Sequence, residues 1–393
     1  MKLRLLLAVA LVVFLAANLR SAVTSFSPIV FFIREDLYLS SLSESLIAAT
    51  APVMFAIGAI LGTRPARRLG LEMTSLLVGV AIVAGHLMRG LATNAELLIA
   101  GSLVALAGMG VGNLILPSII RRYFPDRIGL LTTVYITFIS FGTFVPPLIA
   151  VSVAESFGWR VSLAQWAVLA ALIIIPSASL LRENKKVELS LKPAKLPLFN
   201  SPTAVAVMTI FLVSSITAYL SFGWLPTIAV EHAGVDVGQA ALLLSIFAFM
   251  GLPSGLIAPL LAEKFPNSQW LIVAGAGISG VVGSLGFIFL PEFVFFFVVF
   301  LGLAQLTFPL SLALFNLRSR KPDTVLQVSS FAQFLGYSAA SITTLSVGFI
   351  RDLFGGWEIV LAVIGASNLL VVTAAITLSK KSFIEDELTP PVE

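Results

Sequence analysis

Runs of about twenty apolar residues, the length that crosses a bilayer core as a helix, follow one another along almost the whole chain. They lie near 5–33, 44–63, 72–91, 96–120, 128–153, 161–181, 202–226, 238–262, 269–290, 293–316, 325–350 and 357–379. Twelve such runs leave one architecture to expect, an all-α membrane protein. Charge supports it. Asp, Glu, Lys and Arg make up 11% of the 393 residues, against about 25% in soluble domains. So few charges could not cover a water-facing surface of this size. Several runs carry Gly or Pro, which membrane helices tolerate. Residues 1–22 resemble a signal peptide, with Lys2 and Arg4 ahead of an apolar stretch. That stretch continues to Phe32, longer than such a leader needs, and is read as a retained first span.

Basic residues fix the expected orientation. With the N-terminus in the cytoplasm, 19 of the 24 Lys and Arg fall on the cytoplasmic side and four (Arg34, Arg89, Arg160, Arg351) on the other; Arg20 lies inside a span. Both termini are therefore expected in the cytoplasm, with the chain multi-pass in the inner (cytoplasmic) membrane. The halves repeat. Pro28 and Pro226 are 198 residues apart, as are Trp159 and Trp357, and Pro125-Asp126 recurs 197 residues on as Pro322-Asp323. Six spans separate the copies, so the repeat is parallel, about an axis along the membrane normal, which is the major facilitator arrangement with a substrate site near mid-bilayer between the halves. The expected organisation is a six-helix bundle over 1–181, a cytoplasmic linker over 182–200, a second six-helix bundle over 201–381 and a cytoplasmic tail over 382–393.

Some chemistry is excluded outright. The chain has no Cys and only two His, His86 and His232, so disulfides, thiolate nucleophiles and His-rich metal sites are ruled out. The basic residues sit in short clusters between apolar runs, a poor pattern for nucleic acid. No nucleotide-binding motif or catalytic triad stands out, and the expectation is a non-enzyme without cofactor. The expected partners are a small-molecule substrate and membrane lipid, for a protein acting as a monomer.

Arg20 is the sharpest candidate. A guanidinium near mid-bilayer is expensive, at least ~2.5–3.5 kcal/mol on insertion scales, so it should face a cavity or a partner. Asn18, Ser21, Thr24 and Ser25 surround it, and Thr24, four residues on, shares its face. Arg20 either lines an anion site or pins helices together through backbone carbonyls. No carboxylate sits mid-span, which favours an anionic or hydrogen-bond-accepting substrate. Gln333 and Tyr337 share one face of the eleventh segment and suit a cavity wall or an interhelical contact. Asn113 and Tyr135 are similar candidates. Trp224 could stack on a planar substrate or anchor at the interface; Gln165, Gln305, Asn316 and Asn368 are weaker. His86 could be a protonation site or a buried neutral side chain. Arg89, on the same face, is expected to snorkel to headgroups. Gly101, Gly108, Gly110 and Gly112 form a small-residue stripe suited to close helix approach. Pro146-Pro147 should bend or break the fifth helix.

Four stretches, NLRSAVTSFSP (18–28), GNLILPSIIRRYFPDRIGLLTTVY (112–135), FGWLPTIAVEHAGVDVGQAALLLSIFAFMGLPS (222–254) and AQFLGY (332–337), resemble the cyanate/2-nitroimidazole transporter family (CynX/NimT) of the major facilitator superfamily. The resemblance covers nearly the whole chain. It implies the twelve-helix major facilitator fold in two pseudo-symmetric bundles. It also implies secondary active transport, by alternating access, of a small anionic or polar planar solute such as cyanate. Export of neutral drug-like or nitroaromatic compounds is the alternative. Family members read N-x-R-P-x-x-T in the first helix; here Ser21 replaces the Pro, while Asn18, Arg20 and Thr24 match. The superfamily's loop motif between helices two and three is degenerate, since GTRPARRLGLE (62–72) puts Arg67 where its Asp would stand.

Overall fold

The computed structural model describes residues 2–61, 63–184 and 196–388. The middle of the expected linker, 185–195, and the end of the tail, 389–393, lie outside the described residues. Every regular element among those described is helical. Eleven segments are long and apolar enough to cross a membrane: Leu3–Leu37, Ser41–Gly58, Leu71–Gly90, Ala95–Tyr123, Pro125–Phe157, Trp159–Ser179, Pro202–Ala233, Val237–Lys264, Gln269–Phe289, Pro291–Leu317 and Glu358–Leu378. The other expected span, 325–350, lies within the 33-residue helix Pro322–Phe354. Gln327, Gln333, Tyr337 and a series of Ser and Thr make this helix more polar than the rest. These twelve helices are numbered below as spans in chain order.

Proline decides some interruptions of the spans and not others. The fifth helix runs unbroken from Ile128 to Phe157 through Pro146 and Pro147. The first and sixth spans are divided at Leu19–Arg20 and Gln165 with no proline in the following turn, whereas Pro28, Pro253 and Pro309 stand just after the divisions at Ser25–Phe26, Met250 and Gln305–Leu306 and remove a backbone donor there.

Cα packing divides the chain into two compact units. One is Met1–Ser190 with Phe222–Phe249; the other is Leu191–Ser221 with Met250–Glu393. In the first unit the glycine stripe of the fourth span meets three neighbours. A Cβ on Gly108 would lie 3.0 Å from Ile82, one on Gly110 2.9 Å from the Met54 carbonyl and one on Gly112 3.0 Å from Leu15. The fifth span closes on the first still more tightly, because a Cβ on Gly142 would stand 2.0 Å from the Ala17 carbonyl oxygen. Phe26, Ile29, Ile33, Ala150, Val151, Trp159 and Leu163 form a buried core beside that contact. In the second unit Asn368 ties the twelfth span to the seventh, its Nδ2 donating to Thr217 Oγ1 at 3.0 Å and to the Ile364 carbonyl at 2.9 Å.

The internal repeat reappears as a polar clamp within each unit. In the first, Arg122 at the end of the fourth span donates to Glu72 Oε2 at 3.1 Å and to the Glu183 carbonyl. Tyr123 Oη donates to Glu72 Oε1 at 2.6 Å. In the second, Arg318 just after the tenth span donates to Gln269 Oε1 at 3.2 Å and to the carbonyls of Lys380 and Leu378 at 3.2 and 3.0 Å. Glu72 and Gln269 are 197 residues apart, as are Glu183 and Lys380. The repeat keeps the clamp and changes its charge, from a carboxylate in one unit to an amide in the other.

Acidic residues of the tail complete the second clamp. Glu387, in the short helix Ile384–Leu388, accepts from the Ser201, Thr203 and Ser382 hydroxyls and from Thr203 N at 3.0 Å. It thereby caps the seventh span, whose first N–H groups have no intrahelical partner. Glu385 accepts from the backbone N–H groups of Arg320 and Lys321, both at 3.0 Å, just ahead of the eleventh span. Burial alone would raise both carboxyls. Hydrogen bonds outweigh it, from Ser201, Ser382 and Thr203 to Glu387 and from Thr324, Arg320 and Lys321 to Glu385, and hold both below the usual value of 4.5. Depressed carboxylates contribute stability that is present above the unfolded value and lost as pH falls through the folded one. Thermal unfolding followed against pH should therefore show an acid-side loss beginning below about pH 4.5, and Glu387→Gln should flatten it.

Candidate functional site

The site is built around the break in the first span. The opening helix ends at Asn18, and a four-residue helix restarts at Ser21. Asn18 holds the break without a proline. Its Nδ2 donates to Phe14 O at 2.8 Å and to Leu169 O on the sixth span at 3.1 Å, while its own carbonyl accepts from Ser21 Oγ at 3.1 Å. Arg20 falls between the two helices, with φ −129° and ψ −8°.

Arg20 is half-buried. Its guanidinium carbon lies 4.5 Å from the ring centroid of Phe55 on the second span, a cation–π distance. Nη1 is enclosed and has no hydrogen-bond partner. No ion pair to Arg20 occurs among the described residues. Phe55 also lies against Gly110 of the fourth span. Asn113, three residues beyond Gly110, shares that side of the helix and is partly buried.

The expected site residues fall into two groups. Asn18, Arg20, Thr24, Asn113, Tyr135 and Trp224 belong to the first unit, Gln333 and Tyr337 to the second. Asn18 and Thr24 are fully buried. Thr24 Oγ1 turns back to the Arg20 carbonyl at 3.3 Å, and Asn18 Oδ1 has no hydrogen-bond partner. Tyr135 is partly buried, and Trp224 is 2% exposed, a core rather than an interfacial position. Gln333 is partly buried. The Tyr337 ring stands edge-on to Phe211 and Tyr219, with centroids 5.6 and 6.0 Å away.

His86 and Arg89 lie deeper in the first unit. His86 is fully buried, with Nδ1 3.2 Å from the Leu163 carbonyl and Nε2 3.4 Å from Ser21 Oγ. It joins the third span to the sixth and to the break beside Arg20. Arg89 does not snorkel. It is 0% exposed, and its Nε and Nη1 have no hydrogen-bond partner. The fourth span covers it, since a Cβ on Gly101 would lie 2.9 Å from Arg89 N.

Two ionic arrangements escape a reading of the spans alone. Glu72, five residues beyond Arg67, is 1% exposed in the Arg122–Tyr123 clamp. Arg34, near the end of the first span, donates to both oxygens of buried Glu44 at 2.6 and 2.9 Å and to Glu231 of the seventh span at 3.2 Å. The one signal for either was a charge beside an apolar run, which many span-end residues share.

A model of the Major Facilitator Superfamily matches residues 9–344. The 2-nitroimidazole transporter of Escherichia coli (strain K12) is 27% identical over 367 residues, 92% of this chain and 92% of that one. The cyanate transport protein CynX of the same organism is 26% identical over 356 residues, 88% of this chain and 90% of that one. The crystal structure of a D-xylose-proton symporter superposes with a TM-score of 0.72 at 16% identity, covering 99% of this chain and 100% of the other, and so supports the fold. The resemblance read from residues 18–28, 112–135, 222–254 and 332–337 is borne out, by relatives that cover 92% and 88% of this chain. These relatives are transporters, not enzymes. By the extent of the family match, this many-span membrane protein belongs to the Major Facilitator Superfamily.

Proposed function

We propose that this transporter carries a small anionic or polar planar solute, cyanate-like in size and charge, by alternating access, with Arg20 as the group that holds it. The observation behind this reading is the enclosed, unpaired Nη1 of Arg20 at the break in the first span. A desolvated guanidinium without a carboxylate attracts an anion more strongly than one already paired. Phe55 beneath it suits a flat solute. Asn18 Oδ1, enclosed and unpartnered nearby, could accept from a solute's N–H or O–H. Asn113, Tyr135, Trp224, Gln333 and Tyr337 are proposed as further contacts, and His86 as a site of protonation linked to transport. The distribution of Lys and Arg supports an inner-membrane location with both termini in the cytoplasm. One named relative is a 2-nitroimidazole transporter and the other a cyanate transport protein, so export of neutral nitroaromatics is the second reading.

Ligand-dependent melting of the purified protein separates the two. Cyanate should raise the melting temperature saturably, as a ligand that binds only the folded state must, and at lower concentration than 2-nitroimidazole. Stabilisation by 2-nitroimidazole alone, together with hypersensitivity of deleted cells to it, would overturn the anion reading in favour of export.

A further inference from the structure

Arg89 has no role in the transport reading, yet its surroundings call for a ligand. Ser21 and His86 meet across the first and third spans, Oγ to Nε2 at 3.4 Å. The first and third spans run in the same direction, because one span separates them. One turn further along the first span stands Ser25, which keeps helical geometry with its N–H on the Ser21 carbonyl. One turn further along the third stands Arg89. Residues three and four apart share a helix face, so Ser25 lies one turn beyond Ser21 and Arg89 one turn beyond His86, both in the same direction from the Ser21–His86 contact. Both are 0% exposed. Ser25 Oγ, Arg89 Nε and Arg89 Nη1 all lack a hydrogen-bond partner.

The chemistry of these orphans is one-sided. A guanidinium carries donors only, and a serine hydroxyl can add one more. Donors without an acceptor, around a charge without a counter-charge, are the complement of an anion. The Asp36 carboxylate does not relieve the imbalance, because its Oδ2 is already 2.7 Å from Arg160 Nη1. The remaining titratable neighbour, His86, is committed to Leu163 and Ser21. Full enclosure of both side chains limits the occupant to a few atoms.

We propose that Arg89 and Ser25 hold a small monovalent anion, of chloride size, inside the first unit. This site is separate from the one at Arg20 and does not depend on the transport reading. The interruption of the first span at Leu19–Arg20 gives it a route of entry, since Ser25 rides on the short segment beyond the break. The bound ion would keep the third span's buried charge neutral.

The test uses the full purified chain, with sodium chloride replacing sodium gluconate at constant ionic strength and the melting temperature as readout. Wild type should be stabilised saturably by chloride. Arg89→Met should lose that dependence and, freed of an unpaired charge, melt above wild type in gluconate. Ser25→Ala should keep the dependence with its midpoint raised about tenfold, the change expected for one lost hydrogen bond of about 1.4 kcal/mol. Arg20→Gln should leave the chloride midpoint unchanged. Absence of any chloride effect in wild type would mean enclosed water only and overturn the proposal. So would chloride stabilisation that survives in Arg89→Met, or that disappears in Arg20→Gln.

Discussion

Arg20→Ala is expected to abolish binding of the small anion at concentrations that saturate wild type, while leaving the melting temperature of the ligand-free protein unchanged or higher. The two halves of this result have separate causes. A hydrogen bond to a charged group contributes about 1.5–3 kcal/mol, so one lost contact weakens binding roughly ten- to a hundredfold, and a forked contact more. The ligand-free protein loses little, because Arg20 makes no ion pair among the described residues and its enclosed Nη1 is unsatisfied. The guanidinium of wild type keeps its stacking on Phe55, about 0.5–2 kcal/mol, but gives up solvation to do so. Arg20→Lys should restore the charge without the fork or the flat stacking surface, and so recover only part of the affinity. Titration calorimetry beside a melting curve decides the matter. If Arg20 pinned helices instead, the Ala variant would melt lower and bind as well as wild type. Unchanged affinity in both variants would end the anion-site reading.

Much of the fold was legible because hydropathy reports depth, and depth is what a bilayer constrains most strongly. The repeat was legible for a similar reason: Pro28 and Pro226, or Trp159 and Trp357, mark equivalent ends of equivalent spans. Lateral information was not. The sequence places Arg89 near a span end, where a long side chain often reaches headgroups, but it does not say which face a neighbouring helix covers. Gly101 lets the fourth span close over it. The break at Arg20 was obscured for another reason. With Ser21 in place of a proline, the local signal for a broken helix is gone, and the interruption is held by the long-range hydrogen bond from Asn18 to Leu169. Arg20 itself was visible because a charge inside an apolar run is conspicuous. Glu72 was not, because a charge at a span end is ordinary until Arg122 and Tyr123 are seen to close around it.

Glu72→Ala should be among the most destabilising single changes in the first unit, and Glu72→Gln much less so. Removing one partner of a buried ion pair costs about 3–5 kcal/mol, because the other charge stays behind uncompensated. Arg122 retains some solvent access, at 21% side-chain exposure, which places the expected loss at the lower end of that range. The Ala variant also strips Tyr123 Oη of its acceptor at 2.6 Å. Gln keeps one acceptor, and the second unit shows that an amide can serve there. At the equivalent position Gln269 accepts from Arg318, which shares its remaining donors between two backbone carbonyls. Arg122 has one such carbonyl, that of Glu183, so the amide should serve it less well and cost about 1–2 kcal/mol. The reciprocal change, Gln269→Glu, brings a carboxylate to an arginine whose charge burial disfavours, and should raise the melting temperature. Melting curves of the three variants are sufficient. Equal and small effects of Ala and Gln at position 72 would mean that neither the charge nor the hydrogen bonds of the clamp stabilise the unit, and that the repeat was free to change its charge because the charge did not matter.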